Sequence, residues 1–350
     1  MEKTKVDCTK DSPSEKLQRI DIPLCNEFLS TGCTILDLAI ANQLPGGFGV
    51  GCISHIYGVP SSGKTILLAE TLGSAQRKGG IAYFGDAERT LDFQRAFNLY
   101  GVDINNEKLW QYDQPTSIED LFDRCLEEIL KKRTKRSKPG ALGVDSLSAL
   151  PSEAERKGNL KDTGYGVTRA RQFSTAFRKR LQDLSDKKLS VIFVDQTRQN
   201  IGIAFGDRHT TSGGEAIKFY SSTRVLCTDG GKIKNAAGKA VGVIVKFLVK
   251  KNKIGPPFRD GKFRILFDYG IDDIGSNLEW MKDNISSDID WINYGDGWCQ
   301  EMSDLAVCEN LEEAIAHVEE KGLEEELRKA VENRWKEVYK PLNRKPRRRS

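Results

Sequence analysis

A glycine-rich octet between a predicted strand and a predicted helix is the feature that most constrains this fold. The apolar segment 52–57 runs directly into Gly58-Val59-Pro60-Ser61-Ser62-Gly63-Lys64-Thr65, and the residues from Ile66 onward have helical spacing. The octet is the GxxxxGK[ST] pattern, in which backbone N–H groups and a helix N-terminus converge on phosphate oxygens. Glycine is needed because side chains would block that approach. The sequence therefore predicts a nucleotide site directly after a buried strand.

The octet also assigns chemical roles to its members. The ammonium group of Lys64 is expected to reach the β- and γ-phosphates as a point charge, and the Thr65 hydroxyl is expected to be a Mg²⁺ ligand. The residues predicted to contact the nucleotide are Gly58, Pro60, Ser61, Ser62, Gly63, Lys64 and Thr65.

Short apolar runs alternate with helix-length segments along the chain, and this alternation predicts parallel strands joined by right-handed helical crossovers. The runs lie at residues 81–84, 141–144 and 191–194. Two amphipathic helices, at 121–130 and 167–184, are expected to cover the sheet. Two later apolar strands, at 241–249 and 263–267, predict an antiparallel extension. The predicted fold class is α/β, with a mostly parallel twisted sheet and helices on both faces.

Four segments are expected along the chain. They are an N-terminal extension or linker for subunit contact (1–28), the nucleotide-binding core (29–275), a small C-terminal α/β domain (276–340) and a basic tail (341–350). The C-terminal domain is expected to end in one helix from Leu311 to Val338. The tail holds five basic residues and no acid, namely Arg344, Lys345, Arg347, Arg348 and Arg349.

Composition narrows the class of protein. With 38% hydrophobic and 30% charged residues, the chain is typical of a globular protein and unlike a disordered or collagen-like one. A net charge of +4 is too balanced to indicate a nucleic-acid partner by itself. No apolar run has the length of a membrane span and the N-terminus carries no apolar signal core, so a cytoplasmic protein without a membrane partner is expected. The eight cysteines stand singly, without a CxxC pair, and are expected to be reduced and mostly buried.

Carboxylates follow two of the predicted strands. Asp145 closes the run 141–144, and Asp86 and Glu88 come just after the run 81–84. Because ligands of open parallel sheets bind at the carboxyl ends of strands, these three acids are expected to meet at the mouth of the nucleotide site. The alternative for any one aspartate in such a position is a capping residue. The combination with the glycine-rich octet favours catalysis.

Six ordered blocks resemble the bacterial RecA recombinases. They are GVPSSGKT at 58–65, DAERTLD at 86–92, VDSLSAL at 144–150, DQTRQNIGIAFG at 195–206, TTSGGEAIKFYSSTRV at 210–225 and KKNKIGPPF at 250–258. The resemblance implies a RecA-like P-loop ATPase core over residues 29–275. It also implies a protein that uses ATP and Mg²⁺, coats single-stranded DNA as a helical filament of its own copies, and pairs that strand with double-stranded DNA in recombination and repair. A cytoplasmic, nucleoid-associated protein assisted by a single-strand-binding protein or loaders is the matching expectation.

The same resemblance implies roles for individual residues. Glu88 matches the residue that activates the attacking water, and Asp145 matches the acid on the magnesium side. Gln196 matches the sensor of the γ-phosphate. Lys251 and Lys253 match lysines that reach the ATP of the neighbouring subunit, so the active site is expected to be complete only after assembly.

Other positions carry the DNA-binding and interface expectations. Two loops, 155–166 and 199–214, match the DNA-binding loops of the family, with solvated surface loops as the alternative from residue types alone. Residues singled out within or beside them are Arg169, Arg198, Gly213, Gly214, Tyr165 and Ile201, and Phe219 matches an aromatic residue at the subunit interface.

The chain also departs from the family pattern. The N-terminal segment lacks helical spacing, Arg95 or Phe93 stands in for the aromatic that stacks on adenine, and the tail is basic instead of acidic. Two alternatives therefore stay open. One is a RecA-like paralogue that acts as an ATP-regulated DNA-binding mediator without strand exchange, and the other is a ring-shaped helicase motor that shares the core fold.

Overall fold

The computed structural model describes residues 25–89, 99–158, 165–199, 209–210, 214–284, 308 and 310–340. In chain order the strands are β1 (Phe28–Leu29), β2 (Phe48–Gly49), β3 (Ile53–Gly58), β4 (Ala82–Asp86), β5 (Trp110–Asp113), β6 (Gly140–Asp145), β7 (Leu189–Gln196), β8 (Arg198–Gln199), β9 (His209–Thr210), β10 (Thr223–Lys234), β11 (Ala240–Asn252), β12 (Asp260–Leu266) and β13 (Gly270–Asp272).

The helices are α1 (Thr34–Ala41), α2 (Lys64–Arg77), α3 (Glu127–Lys131), α4 (Glu153–Lys157), α5 (Tyr165–Asp186), α6 (Gly214–Tyr220), α7 (Asp273–Asn284), α8 (Leu311–Lys321) and α9 (Glu324–Val338). A π-helical stretch, Asp120–Leu126, leads directly into α3. None of the described helices combines the length and the apolar character of a transmembrane segment.

Nine of the described strands form one sheet with the order β13-β12-β11-β10-β3-β7-β6-β4-β5. The strands from β10 to β5 are parallel to one another, whereas β11, β12 and β13 continue the sheet with antiparallel pairing. The predicted α/β class, with a mostly parallel sheet and an antiparallel extension, is confirmed.

Helices cover both faces of this sheet. Alternate residues of a strand point to opposite sides, and the buried strands carry apolar residues on both sides that must be covered. In β7, Ile192 and Val194 belong to the cluster that includes α1, α2 and α7 to α9, while Val191 and Phe193 belong to the cluster that includes the π-helical stretch, α3, α5 and α6. The prediction that the helices near 121–130 and 167–184 cover the sheet is therefore confirmed.

The structure also corrects the sequence predictions. Strands β5 and β10 were not predicted, although β10 lies next to the central strand β3. The single helix expected from Leu311 to Val338 is two helices, because Gly322 has φ +64 and ends α8. A left-handed residue cannot continue a right-handed helix, and glycine adopts that conformation without strain.

The C-terminal helices pack on the same apolar cluster as the sheet. Trp335 of α9 is fully buried against Trp280 of α7 and Tyr339, with ring centroids 5.5 and 4.3 Å away. Its indole N–H donates to Oδ1 of Asn42 at 3.2 Å, which fixes α9 to the end of α1. Residues 1–24 and 341–350 lie outside the described ranges, and the four-segment division stays a prediction.

Candidate nucleotide site

Four neighbouring strands end at one edge of the sheet. The residue partners are Gly58 with Gln196 across β3 and β7, and Asp86 with Asp145 across β4 and β6. Since β6 also pairs with β7, the ends of all four strands are adjacent. The sheet register thus brings the octet 58–65 together with the predicted acids, at the edge where open α/β sheets bind ligands.

The octet forms a tight loop that opens helix α2. Ser61 and Gly63 have φ of +58 and +73, in the left-handed region. Gly63 is the N-cap of α2 and has no side chain that could accept a hydrogen bond from the first turn of the helix. The backbone N–H groups of that turn therefore face the loop, where the positive end of the helix favours an anion.

Packing beneath the loop supplies a second reason for its glycines, which the sequence analysis attributed to phosphate access alone. A Cβ atom at Gly58 would collide with the carbonyl oxygen of Cys227 on β10, and one at Gly63 would collide with Ile265 on β12. The loop thus lies directly on neighbouring strands, and the fold itself favours glycine at 58 through a backbone contact and at 63 through its positive φ.

Lys64 lies within the loop and is 7% exposed. Its ammonium group donates to the carbonyl oxygen of Val59 at 2.6 Å and to Oγ of Ser62 at 3.4 Å. Burial lowers the pKa of Lys64, and the nearby Asp145 and Glu88 oppose that shift. The predicted phosphate-binding cation is therefore held inside the loop by the loop's own oxygens.

Thr65 and Asp145 face each other at the start of α2. The Thr65 hydroxyl donates to Oδ2 of Asp145 at 2.6 Å. Burial raises the pKa of Asp145 to about 6, and the Thr65 hydrogen bond opposes this shift. A hydroxyl and a partly buried carboxylate in contact form an oxygen pair of the kind that Mg²⁺ binds beside phosphates. The predicted metal ligands are thus adjacent and fit that ion.

Glu88 is oriented by groups from two strand ends. Its Oε1 accepts from the Ser146 hydroxyl at 2.6 Å and from Nε2 of Gln196 at 3.2 Å. Ser146 in turn lies 2.7 Å from the Ser148 hydroxyl. Ser146 was not among the predicted site residues, although its position directly after Asp145 indicates a place at the same strand end. The structure therefore brings the predicted water-activating acid and the predicted sensor into direct contact.

Asp86 has a different arrangement. Its Oδ1 accepts from the backbone N–H of Arg89 at 2.8 Å, and its Oδ2 accepts from the hydroxyl of Tyr112 at 3.0 Å. Both oxygens therefore stabilise the turn after β4 and its contact with β5. Of the three acids expected at the mouth, Asp86 follows the capping alternative, while Glu88 and Asp145 face the loop.

Lys251 and Lys253 lie at the other end of the strands. Lys251 of β11 lies opposite Arg224 of β10, which in turn lies beside His55 of β3. The backbone N–H of Lys253 donates to the carbonyl oxygen of Ser222, which lies beside the start of β3. The phosphate loop begins after Gly58, which lies about 10 Å along β3 from His55 and about 17 Å from Ile53 at ~3.3 Å per residue. The two lysines are not brought together with the nucleotide site of their own chain.

The surroundings of Lys251 are nonetheless specific. Its ammonium group donates to the carbonyl oxygens of Lys218 and Phe219 at 2.6 and 2.7 Å, at the C-terminal end of α6. Burial, together with the charges of Lys253 and Arg224, lowers the pKa of Lys251 to about 8. Phe219 is 69% exposed beside this group.

Several predicted contacts fall outside the described residues. These are the adenine candidates Phe93 and Arg95 and the loop residues Ile201 and Gly213, together with most of the loop 199–214. Arg169 is described, and its guanidinium donates to the carbonyl oxygen of Leu147 at 3.3 Å. Its expected phosphate contact stays a prediction.

Comparisons with known proteins agree with this geometry. A family model described as the RecA N-terminal domain matches residues 17–272. Protein RecA of Clostridium acetobutylicum is 36% identical over 316 residues, covering 89% of this chain and 82% of the relative. Protein RecA of Chlamydia trachomatis is 37% identical over 273 residues, with coverages of 77% and 73%. The protein of the same name from Bacteroides thetaiotaomicron is 37% identical over 276 residues, with coverages of 77% and 78%. The chain therefore belongs to the RecA family.

Proposed function

We propose that this chain is a DNA-dependent ATPase that drives homologous pairing and strand exchange from a filament on single-stranded DNA. Membership in the RecA family supports a role in recombination and repair. The observation that carries the ATPase assignment is the contact of Glu88 with Gln196, next to the hydrogen-bonded Thr65 and Asp145 at the mouth of the phosphate loop.

The proposed reaction is hydrolysis of ATP to ADP and phosphate. Glu88 orients the attacking water and accepts its proton, because Ser146 and Gln196 hold its Oε1 at a fixed place. The ammonium group of Lys64 leaves the Val59 carbonyl for the β- and γ-phosphates when ATP enters, since phosphate is the stronger acceptor. Thr65 and Asp145 would hold Mg²⁺, which supplies neutralisation of phosphate charge.

Lys251 and Lys253 are proposed to complete the site of a neighbouring subunit. They lie at the amino ends of the strands whose carboxyl ends carry the phosphate loop, so they are placed to serve another copy of the chain. Cations that reach the transferring phosphoryl group stabilise the charge of the transition state. Hydrolysis is then coupled to assembly.

Gln196 is proposed to connect nucleotide state to DNA binding. It ends β7 directly before the segment 199–214, and its amide contacts Glu88. A γ-phosphate that contacts this amide shifts the DNA loops only if it binds their two states with different affinity. Single-stranded DNA, double-stranded DNA and further copies of the chain are the proposed partners, with a single-strand-binding protein or loaders assisting.

The first test is ATP hydrolysis with and without single-stranded DNA. Wild type is expected to show DNA-stimulated turnover, and Glu88→Gln is expected to lose at least about 10²-fold of it while still binding nucleotide. Glu107→Gln is the matched control, since it removes one carboxylate at an exposed position. If DNA does not change the rate of ATP hydrolysis and electron micrographs show no filaments, the mediator alternative is favoured. Ring-shaped particles would favour the helicase alternative.

A mixing experiment tests the shared site. Glu88→Gln removes the water-activating group from its own phosphate loop, and Lys251→Ala/Lys253→Ala removes the groups given to a neighbour. In an equimolar mixture, roughly a quarter of randomly formed interfaces are restored. At these interfaces the intact phosphate loop and Glu88 of the lysine variant meet the intact Lys251 and Lys253 of the Glu88→Gln variant. Recovery of about that fraction of wild-type turnover is expected. An inactive mixture would contradict the assignment of the lysines to the neighbouring subunit.

A further inference from the structure

Two cysteines from separate segments meet at the amino end of β3. Cys25 precedes β1 and Cys52 precedes β3, and both are half-buried free thiols. A Cβ atom at Gly49 would lie 2.6 Å from Sγ of Cys25 and 3.3 Å from Sγ of Cys52, so the sulfurs occupy neighbouring places. The two thiols are close enough for each to affect the pKa of the other.

The backbone explains why they meet. Strands β1 and β2 pair antiparallel with Phe28 opposite Gly49, and the N–H of Val50 donates to the carbonyl oxygen of Glu27 at 2.9 Å. This pairing carries the segment before β1 alongside the residues that follow β2, so Cys25 lies beside the turn that leads into Cys52.

A turn keeps the pair together where the strands end. The N–H of Cys52 donates to the carbonyl oxygen of Gly49 at 3.3 Å, and the Cys25 thiol donates to the carbonyl oxygen of Val50 at 3.3 Å. The turn is thus held against Cys25, with both sulfurs on the same side of it. This arrangement supplies the proximity that bond formation between two thiols requires.

The charges around the pair make its members unequal. The neighbouring Cys25 thiol, the Ser222 hydroxyl and the positive charge of Lys253 lower the pKa of Cys52, against the effect of burial. The Cys52 thiol and burial raise the pKa of Cys25. Because Ser222 and Lys253 stabilise the thiolate of Cys52, and the thiolate is the reactive form, Cys52 is the nucleophile and Cys25 is the resolving thiol.

We propose that Cys25 and Cys52 are a reversible oxidation site that hydrogen peroxide closes into a disulfide. The Cys52 thiolate attacks one peroxide oxygen, the O–O bond breaks, and the departing hydroxide takes a proton to become water. The Cys25 sulfur then attacks the Cys52 sulfenic acid, its S–O bond breaks, and the proton of Cys25 leaves with the second water. Two thiols and one peroxide thus give one disulfide and two waters, a two-electron oxidation that a dithiol reductant reverses.

The location of the pair links it to the ATPase, and this link rests on the proposed function. Lys253, which lowers the pKa of Cys52, is one of the two lysines assigned to the neighbour's ATP. Closing the pair shortens the sulfur–sulfur separation to a bond of about 2.05 Å, and we expect the turn before β3 and the neighbouring Lys253 to shift with it. A misplacement of ~1 Å in a positioned group can cost up to 10²-fold in rate.

The chemical test is thiol mapping of the full chain after exposure to hydrogen peroxide. Trypsin leaves residues 20–64 as one peptide with three cysteines, 25, 33 and 52, and cleavage after Phe28, Phe48 and Tyr57 separates them. The oxidised peptide is expected to take up one alkyl group instead of three, with Cys33 modified and the other two fragments joined. Three alkylated cysteines, or a link to any other cysteine, would overturn the proposal.

Single variants test the order of attack and guard against a folding artefact. Cys25→Ser is expected to stop at a sulfenic acid on Cys52, which dimedone traps, and Cys52→Ser is expected to leave Cys25 unoxidised. Cys33→Ala is the matched control, because Cys33 is fully buried in the same peptide and its loss should leave the disulfide unchanged. Sulfenic acid on Cys25 in place of Cys52 would refute the assigned roles.

The functional arm measures DNA-stimulated ATP hydrolysis before and after oxidation. Wild type is expected to lose about tenfold, within the cost of an ångström-scale displacement, and to recover with dithiothreitol, while Cys25→Ser keeps its rate. An oxidised wild type with unchanged turnover would overturn the link to Lys253. If reduced wild type shows no DNA-stimulated ATP hydrolysis, the proposed function fails. The thiol mapping then still shows whether the disulfide between Cys25 and Cys52 forms.

Discussion

Replacing Glu70 by glutamine is expected to stabilise the protein strongly at pH 8 and by less than about 1 kcal/mol at pH 5. Glu70 lies on α2, and Nη2 of Arg77 is 3.8 Å from its Oε2. Burial raises the pKa of Glu70 to about 7, Arg77 opposes this shift, and the charges of Asp273 and Asp37 add to it. Asp273 is itself paired with Arg328 of α9 at 3.2 Å.

The direction of the pH dependence follows from proton binding. The ordinary pKa of a glutamate side chain, 4.5, applies to the unfolded chain, so the folded protein holds this proton more tightly. The associated stability is fully present below pH 4.5 and is lost as pH rises through about 7. A shift of this size corresponds to at most about 3.5 kcal/mol at ~1.4 kcal/mol per pH unit. Glutamine carries no charge at any pH and so avoids that cost.

Urea unfolding at pH 5, 6.5 and 8 measures the effect. The stability difference between Glu70→Gln and wild type is expected to grow with pH toward an upper bound of about 3.5 kcal/mol. Glu107→Gln, at an exposed position, is the control for loss of one negative charge. A gain of the same size at all three pH values, or the same gain in the control, would refute the reasoning.

Three further predictions concern other parts of the chain. Trp335→Ala is expected to lower the free energy of unfolding by about 3–5 kcal/mol, because it leaves a cavity against Trp280 and removes the bond to Asn42; denaturant unfolding measures it, and a loss below about 1 kcal/mol would contradict the packing. Thr65→Val is expected to abolish the gain in ATP affinity that Mg²⁺ gives, while binding in EDTA is kept; equal affinities with and without Mg²⁺ in wild type would contradict the metal assignment. Deleting residues 344–350 removes five positive charges and is expected to lower the salt dependence of single-stranded DNA binding by up to about 3.5 in log–log slope, and an unchanged slope would rule out a DNA contact by the tail.

Local patterns in the sequence were sufficient for the central part of the fold. The order of strand, glycine-rich loop and helix around Lys64 follows from apolar spacing over adjacent residues, and so does the placement of Asp145 after a buried run. The pairing of parallel strands then brings these neighbours to one edge without further information. The resemblance to one family assigned Glu88 and Gln196 to the same site, and the structure places them in contact.

Features that depend on pairing between distant segments could not be predicted from local sequence patterns. Strand β10 is buried only over its first residues and contains Gly230 and Gly231, which have the composition of a turn, so its membership of the sheet depends on β3 and β11 at its sides. The meeting of Cys25 with Cys52 likewise depends on the register of β1 with β2. Nothing in residue spacing distinguishes Asp86, engaged by Tyr112, from an acid that faces the loop.

The opposite placement of the phosphate loop and of Lys251 and Lys253 gives each subunit two unlike ends. An assembly that repeats one such contact is head-to-tail and does not close on itself unless the rotation returns to the start. If Lys251 and Lys253 complete a neighbour's site as proposed, an open assembly contains one complete site fewer than it has subunits. The subunit whose phosphate loop lies at the terminus would then hydrolyse ATP without a neighbour's lysines, and so more slowly than the others. Under the proposed function, that subunit would keep its ATP longest, and subunits would be released in a defined order along the assembly.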